Sequence, residues 1–244
     1  MAPQDKAREE HMIALFNLER PENHKRHGTD AILRLDDRLL EFELKSVTTK
    51  GGSLTTVRDF GPDHIAKWKN KHWIIAVYKD AELVHCKYGS PAAMAPWIEE
   101  KWHYIENDFN LAKVIPRLID LATMRSIVGT KGVYTRADAK KLQKQQYSAA
   151  QYTALMDITE MRGDQVVGIG YSPERMLQIT QDRAKYVIER GSTLNNPHIP
   201  ATYFSAWEPI TRNHASRLRE LVNDWLADSA PEANVPLQAP LDTP

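Results

Sequence analysis

The sequence predicts an α/β (α+β-like) chain: a mixed central sheet carries a charged β-hairpin, helices flank it, and a largely helical C-terminal part follows. Three observations predict this. Residues 31–45 alternate apolar and polar side chains about an Asp36-Asp37 turn, the period-2 signature of a half-buried hairpin. Residues 72–79, HWIIAVYK, form a short continuous apolar run, which reads as a buried strand. Beyond Pro91 the apolar spacing becomes mainly helical. The expected division is a core over 1–90, a mainly helical remainder or lobe over 91–228, and a tail over 229–244. Repeated prolines and little charge predict disorder in that tail.

Taken in order, residues 4–19 read as an amphipathic helix built on Ala7, Ile13, Leu15, Phe16 and Leu18 and stopped by Pro21. A polar, basic loop, PENHKRHG, leads to the hairpin with no evident strand between. In the hairpin Leu40, Phe42 and Leu44 face a core, so Glu41, Glu43 and Lys45 share the other face. SVTTKGGSLTTVRDFG, residues 46–61, has no helical period and reads as a loop. Pro62 suits the first turn of a short helix running towards Asn70. ELVHCKY pairs back on 72–79 through the Lys79-Asp80-Ala81 turn. Further helices are expected over 92–107, 110–128, 136–157 (broken near Ser148), 173–190 and 211–228. Gly191 stops one and Thr211 caps another. QVVGIGY, 165–171, reads as one more strand, and 192–209 as irregular. No internal repeat or clear domain linker is evident.

A chain of 244 residues is long enough for one full core, with room for a smaller helical lobe. Lys and Arg number 32, as do Asp and Glu, so no global field draws the chain to nucleic acid. Local balance differs. Lys45 to His72 holds six basic residues against Asp59 and Asp63. Lys131 to Gln146 holds Lys131, Arg136, Lys140, Lys141 and Lys144 against Asp138 alone. Each zone reads either as a phosphate-binding surface or as solvated surface. No apolar run approaches the roughly 20 residues of a membrane span. The N-terminus lacks a signal peptide's apolar stretch, so a cytoplasmic protein is expected. Cys86 is the single cysteine, which excludes internal disulfides and cysteine-rich zinc sites and reads as structural. No G-x-x-x-x-G-K-[ST] stretch is present, so no nucleotide cofactor is expected.

The chemistry lies in the hairpin register. If Asp36 and Asp37 form the loop, Leu35 pairs with Arg38 and Asp30 lies opposite Glu43. Opposed Cβ atoms sit roughly 4.5–5.5 Å apart, so the two carboxylates repel each other without a counter-charge. That charge is Lys45, a divalent cation, or both. Carboxylates supply hard oxygen ligands for Mg²⁺. A metal so held lowers the pKa of its water and neutralises charge developing on phosphate, and Lys45 on the same face positions the water. Glu41 either binds a second cation or pairs with Arg34, the second being favoured. Glu9, Glu10 and Glu19 of the first helix are further acids within reach.

Asp30 followed by Glu43-Leu44-Lys45 resembles the active-site hairpin of the PD-(D/E)xK nuclease superfamily, and within it type II restriction endonucleases. Thr29 stands where the name-giving proline would be. The resemblance spans residues 5–88. It implies Asp30 and Glu43 as metal ligands, Lys45 as catalytic lysine, and Mg²⁺-dependent, sequence-specific cleavage of double-stranded DNA. It also implies a homodimer, since a two-fold pair matches a palindrome. For DNA contact the candidates are Thr48, Thr49, Lys50, Ser53, Thr55, Thr56 and Arg58 in the loop after the catalytic strand. Asn195 and Asn196 form a second base-reading segment. The alternatives are another nuclease of the superfamily (repair, nicking or modification-dependent), or a non-catalytic nucleic-acid-binding protein whose hairpin acids are surface charges.

Overall fold

The computed structural model describes residues 3–21 and 28–229. From residue 230 the proline-rich tail lies outside them, as does most of the PENHKRHG loop. In chain order the elements are α1 (Pro3–Phe16), β1 (Ala31–Leu35), β2 (Arg38–Thr48), β3 (Ser53–Thr55), α2 (Pro62–Trp68), β4 (His72–Lys79), β5 (Glu82–Gly89) and α3 (Pro91–Val114). There follow α4 (Leu121–Val128), α5 (Arg136–Gln143), α6 (Ala149–Ala154), β6 (Ile158–Arg162), β7 (Gln165–Gly170) and α7 (Pro173–Ser192). The chain closes with β8 (His198–Pro200), β9 (Pro209–Ile210) and α8 (His214–Asp228). The fold is mixed α/β, as the sequence predicts. It divides into two compact units, Met1–Glu100 with Asn196–Pro244, and Lys101–Asn195. Among the described residues no helix is long and apolar enough to cross a membrane.

The first unit holds a five-stranded sheet in the order β1-β2-β4-β5-β9. The β1–β2 register runs from Leu35 opposite Arg38 to Ala31 opposite Phe42, so the Asp36-Asp37 loop sets it as expected. Asp36 takes φ 51°, a left-handed conformation that aspartate reaches more readily than most residues. β2 outlasts β1 and runs parallel to β4 from Phe42 opposite His72 to Thr48 opposite Tyr78. A parallel neighbour needs a crossover, and α2 lies within it. β4 is central and buried at every position but its last, which is why its sequence is apolar without alternation. One sheet face packs Phe42, Leu44, Ile74 and Ala76 against Met12 and Phe16 of α1 and Leu218 and Val222 of α8. On the other face Trp73 meets Trp68, their ring centroids 5.0 Å apart, and Phe60 and Trp97 complete the aromatic layer.

Several boundaries differ from expectation for physical reasons. Helix α1 ends at Phe16 rather than residue 19, because Asn17 takes φ 50° and closes it. Leu18 is then free to enter the core, and Glu19 makes a lone antiparallel bridge with Ile32. Cys86 is buried in β5, and burial pushes its thiol pKa up to about 12, so it is inert. At Gly89 an added Cβ would lie 2.3 Å from the Trp207 ring, so only glycine permits that approach. Helix α8 begins at His214 with Asn213, not Thr211, at its N-cap.

In the second unit the expected break near residues 108–109 is absent. Ile105, Phe109 and Ala112 are buried on one helical face and carry α3 through to Val114. The break comes instead at Ile115–Leu118, a 3₁₀ turn containing Pro116, after which Asp120 caps α4 by accepting from the Thr123 N–H at 2.7 Å. The 136–157 segment breaks near Ser148 as expected, since Lys144 and Gln145 take positive φ and Ser148 opens α6 with a capping box, and the second helix ends at Ala154. QVVGIG is a strand as expected, and its partner β6 escaped the sequence reading. Met124, Tyr134, Ala139, Tyr152, Tyr171, Met176 and Ile179 form this unit's own core.

Candidate active site

Asp30 sits one residue before β1, where its N–H donates to the Phe42 carbonyl at 3.3 Å. Its Oδ2 accepts from the Leu44 N–H at 2.9 Å, which ties the first acid to the residue between Glu43 and Lys45. Glu43 is only 2 % exposed, and Lys45 Nζ donates to its Oε1 at 2.6 Å. Because β2 is parallel to β4, Glu43 and Lys45 share a sheet face with Trp73 and Ile75. The structure thus brings Asp30, Glu43 and Lys45 together.

Two further lysines converge on Glu43. Lys67, near the end of α2, lies 3.5 Å from Oε2, and Lys71, just before β4, lies 4.0 Å from the same oxygen. Lys71 is 1 % exposed. Its Nζ donates to Thr29 Oγ1 at 3.0 Å, and the Thr29 hydroxyl donates to Glu41 Oε2 at 2.7 Å. Glu41 is therefore a partner of Lys71 and Thr29. Arg34, its expected partner, pairs instead with Glu19 at 3.2 Å. Of the acids on α1, Glu9 is buried, pairs with Arg20 at 3.3 Å and lines a pocket with Asp5, Met12, Lys45, Ser46 and Thr55, and Glu10 pairs with Lys6 and also with Arg20. Sequence reading placed Lys67 and Lys71 only in a general basic zone. Their four-residue separation around the end of α2 was the one available signal.

The electrostatics of the two acids differ. Burial raises the Asp30 pKa, the Glu43 charge raises it further, and Lys45 only partly offsets them. Burial also pushes Glu43 upward, but Lys45, Lys67 and Lys71 outweigh it and hold the carboxyl below its ordinary value. Lys45 is raised: burial opposes its charge, and Glu43 and Asp30 prevail. For Lys71, burial and the neighbouring Lys67 prevail and lower the pKa. Glu43 Oε2 is buried and accepts no hydrogen bond. Lys67 and Lys71 lie near that oxygen without hydrogen-bonding it, and the ionised form of the neighbouring Asp30 is disfavoured. Two hard-oxygen donors there suit Mg²⁺, which binds through one or two carboxylates and completes its shell with water and phosphate. Among the described residues no group of three or more His, Cys, Asp or Glu forms a closed metal cage.

The loop after β2 is built onto the C-terminal segment. β3 pairs antiparallel with β8, Leu54 opposite Ile199. The Thr56 hydroxyl donates to the Pro197 carbonyl at 2.6 Å, and the Asn196 N–H donates to the Val57 carbonyl at 2.9 Å. Ser53 Oγ lies 3.3 Å from His198 Nδ1. Two sequence-distant candidates for DNA contact, the 48–58 loop and Asn196, thus form one local surface. Thr55 and Thr56 line the same pocket as Lys45. Thr49 and Arg58 are exposed, Thr48 is half-buried, and Lys50 lies 3.6 Å from Asp80. Asn195 is exposed and is the last residue of the second unit.

A mixed sheet whose edge hairpin sets one acid beside a Glu-x-Lys element is the architecture of a PD-(D/E)xK nuclease, the class that includes type II restriction endonucleases. The family model for restriction endonuclease PvuII matches residues 4–125, half of the chain, and the chain belongs to that family. It is therefore a type II restriction endonuclease, an endodeoxyribonuclease acting on double-stranded DNA, in a family that depends on divalent metal. Comparison with curated proteins gave no match.

Proposed function

We propose that Asp30 and Glu43 hold a Mg²⁺ ion, that Lys45 is the catalytic lysine, and that the enzyme cuts palindromic DNA as a homodimer. The observation that carries this reading is the meeting of two buried carboxyls, Asp30 and Glu43, beside Lys45, with a Glu43 oxygen that accepts no hydrogen bond and an Asp30 whose pKa is raised. When bound there, Mg²⁺ supplies a water of lowered pKa and neutralises charge developing on the scissile phosphate. Lys45, held charged by the two acids, would position the attacking water and donate to the phosphate oxygens rather than take a proton. The water oxygen would bond to phosphorus as the bond to the leaving sugar oxygen breaks, the water's proton passing to bulk water and the leaving oxygen taking one from bulk water. Lys67 and Lys71 keep Glu43 ionised and oriented, so the carboxylate is ready before the metal arrives. Thr48, Thr49, Lys50, Ser53, Thr55, Thr56, Arg58, Asn195 and Asn196 supply phosphate and base contacts. The dimer follows from symmetry: one site cuts one strand, and a two-fold pair reads a palindrome.

Lys45→Ala tests this reading. The substitution leaves Asp30, Glu43 and the packing of Phe42 and Leu44 in place. Preorganised charge of this kind is worth about 2.7–4 kcal/mol, or about 10²–10³ in rate. In single-turnover assays with Mg²⁺ the variant is expected to lose at least that much cleavage while binding the same duplex within about tenfold, or about 1.4 kcal/mol. Near wild-type cutting would remove Lys45 from the mechanism.

A further inference from the structure

The basic stretch Lys131 to Gln146 belongs to the second unit, and the family match ends at residue 125, within α4. From there the chain runs through α4, a one-residue bridge pairing Tyr134 with Tyr171, α5, a five-residue turn, α6 and the hairpin β6–β7. We propose that residues 121–171 form a winged helix–turn–helix that binds double-stranded DNA, with α6 entering the major groove and the β6–β7 hairpin acting as the wing. The proposal stands on this unit alone and does not rest on the nuclease reading.

The first support is architectural. In a helix–turn–helix the second of two helices joined by a short turn lies in the major groove, and the first steadies it. Here α5 contributes Ala139 and α6 contributes Tyr152 to one core with Met124 of α4 and Met176 and Ile179 of α7. The Tyr171 hydroxyl donates to the Tyr152 carbonyl at 2.7 Å, and Arg136 of α5 donates to the Ala149 carbonyl of α6 at 2.9 Å. Lys144 and Gln145, at φ 47° and 59°, turn the chain sharply, and Ser148 and Gln151 cap α6 reciprocally. The hairpin starts three residues after α6 ends and turns at Gly163, whose φ of 62° suits glycine.

The second support is what α6 leaves outside. Tyr152 alone is buried; Ala149, Ala150, Gln151, Thr153 and Ala154 are exposed. Such side chains let a helix backbone approach base edges closely, and alanine and threonine suit the thymine methyl.

Charge is the third. Residues 101–195 carry fourteen Lys and Arg against ten Asp and Glu, so the chain's neutrality hides a basic second unit and an acidic remainder. Lys140 and Lys141 in the last turn of α5 and Lys144 in the following turn are all exposed, and none makes an ion pair among the described residues. Uncompensated cations flanking a helix suit a phosphate backbone. Protein-binding surfaces are depleted of lysine at their cores, which argues against a protein partner here.

The test uses the full chain, a fluorescein-labelled duplex of mixed sequence, and EDTA to prevent cleavage, with anisotropy titrations over a range of salt. Two variants are compared with wild type: the triple change Lys140→Gln, Lys141→Gln, Lys144→Gln, and Ala150→Glu. In the triple variant the log–log salt slope should fall by about 0.9 for each lysine that meets a phosphate, with affinity down about tenfold or more. Ala150→Glu, which leaves every lysine in place, should also weaken binding about tenfold. Duplex RNA of the same sequence should compete poorly, because its narrow major groove admits no helix. Wild-type affinity and slope in both variants, or RNA competing as well as DNA, would overturn the proposal. If circular dichroism shows the triple variant unfolded, Ala150→Glu decides alone. The assay reads binding and not cleavage, so this proposal and the nuclease reading fail separately.

Discussion

Asp30 and Glu43 are neighbours with opposite electrostatic fates, and the difference predicts a measurable conflict between stability and function. The Asp30 pKa is raised above its ordinary 3.8, first by burial and then by Glu43. Its contribution therefore favours the fold below that value and becomes a cost as pH rises through the folded pKa. At neutral pH the ionised Asp30 strains the metal-free protein. Asp30→Asn keeps an acceptor for the Leu44 N–H and removes the repulsion. The variant is expected to melt higher than wild type at pH 7 in EDTA, each 1 kcal/mol of relief appearing as about 2–4 °C. It should lose both cleavage and the stabilisation expected of wild type on adding Mg²⁺. Differential scanning fluorimetry with and without Mg²⁺ checks this, and a lower melting temperature in EDTA would refute the strain at Asp30.

At the scale of the element, β4 shows how one buried strand carries a pH dependence unconnected with catalysis. Its first residue, His72, is 1 % exposed. The ring stacks between Phe42 and Tyr88 and meets the edge of Trp225 at 4.8 Å, and its Nδ1 lies 2.7 Å from the Tyr88 hydroxyl. Burial lowers its pKa from 6.5 to about 4. The unfolded chain thus takes the proton first. His72 contributes stability fully above pH 6.5, and that contribution is lost as pH falls towards 4, at up to about 1.4 kcal/mol per pH unit. Urea melts at pH 6.5 and 5 should differ by about 2 kcal/mol from this residue. His72→Phe, which keeps the stacking, should remove that part of the difference. An equal decrement in the variant would show that other groups carry the acid sensitivity.

For the whole molecule, the sheet unit and the second unit each have their own core. The proposed dimer makes a simple claim at this scale: the species that cuts has twice the chain mass of 27.9 kDa. Sedimentation equilibrium at micromolar concentration in Ca²⁺ with a palindromic duplex should give two chains per duplex. A single chain bound to a cleavable duplex would contradict the symmetry argument.

The sequence by itself determined the β1–β2 register, β4 and β5, and the hairpin that sets Asp30 against Glu43-Leu44-Lys45. Each is written within about twenty consecutive residues as period-2 alternation, a turn or an apolar run, so neighbouring residues suffice to specify it. Only the tertiary structure decided which cations reach Glu43, because Lys67 and Lys71 arrive from α2 and from the residue before β4 and belong to no local pattern. The same holds for the pairing of β3 with β8, across more than a hundred residues, and for the lone bridge from Glu19 to Ile32. Tertiary packing also decided that Arg34 pairs with Glu19 and leaves Glu41 to Lys71. The helical breaks fell between these extremes. The break near Ser148 was legible as punctuation, whereas the 110–128 reading ran through Pro116 and Asp120, and continuing α3 through Asp108 depended on burial of Phe109 and Ala112, which belongs to the packed molecule rather than to the segment.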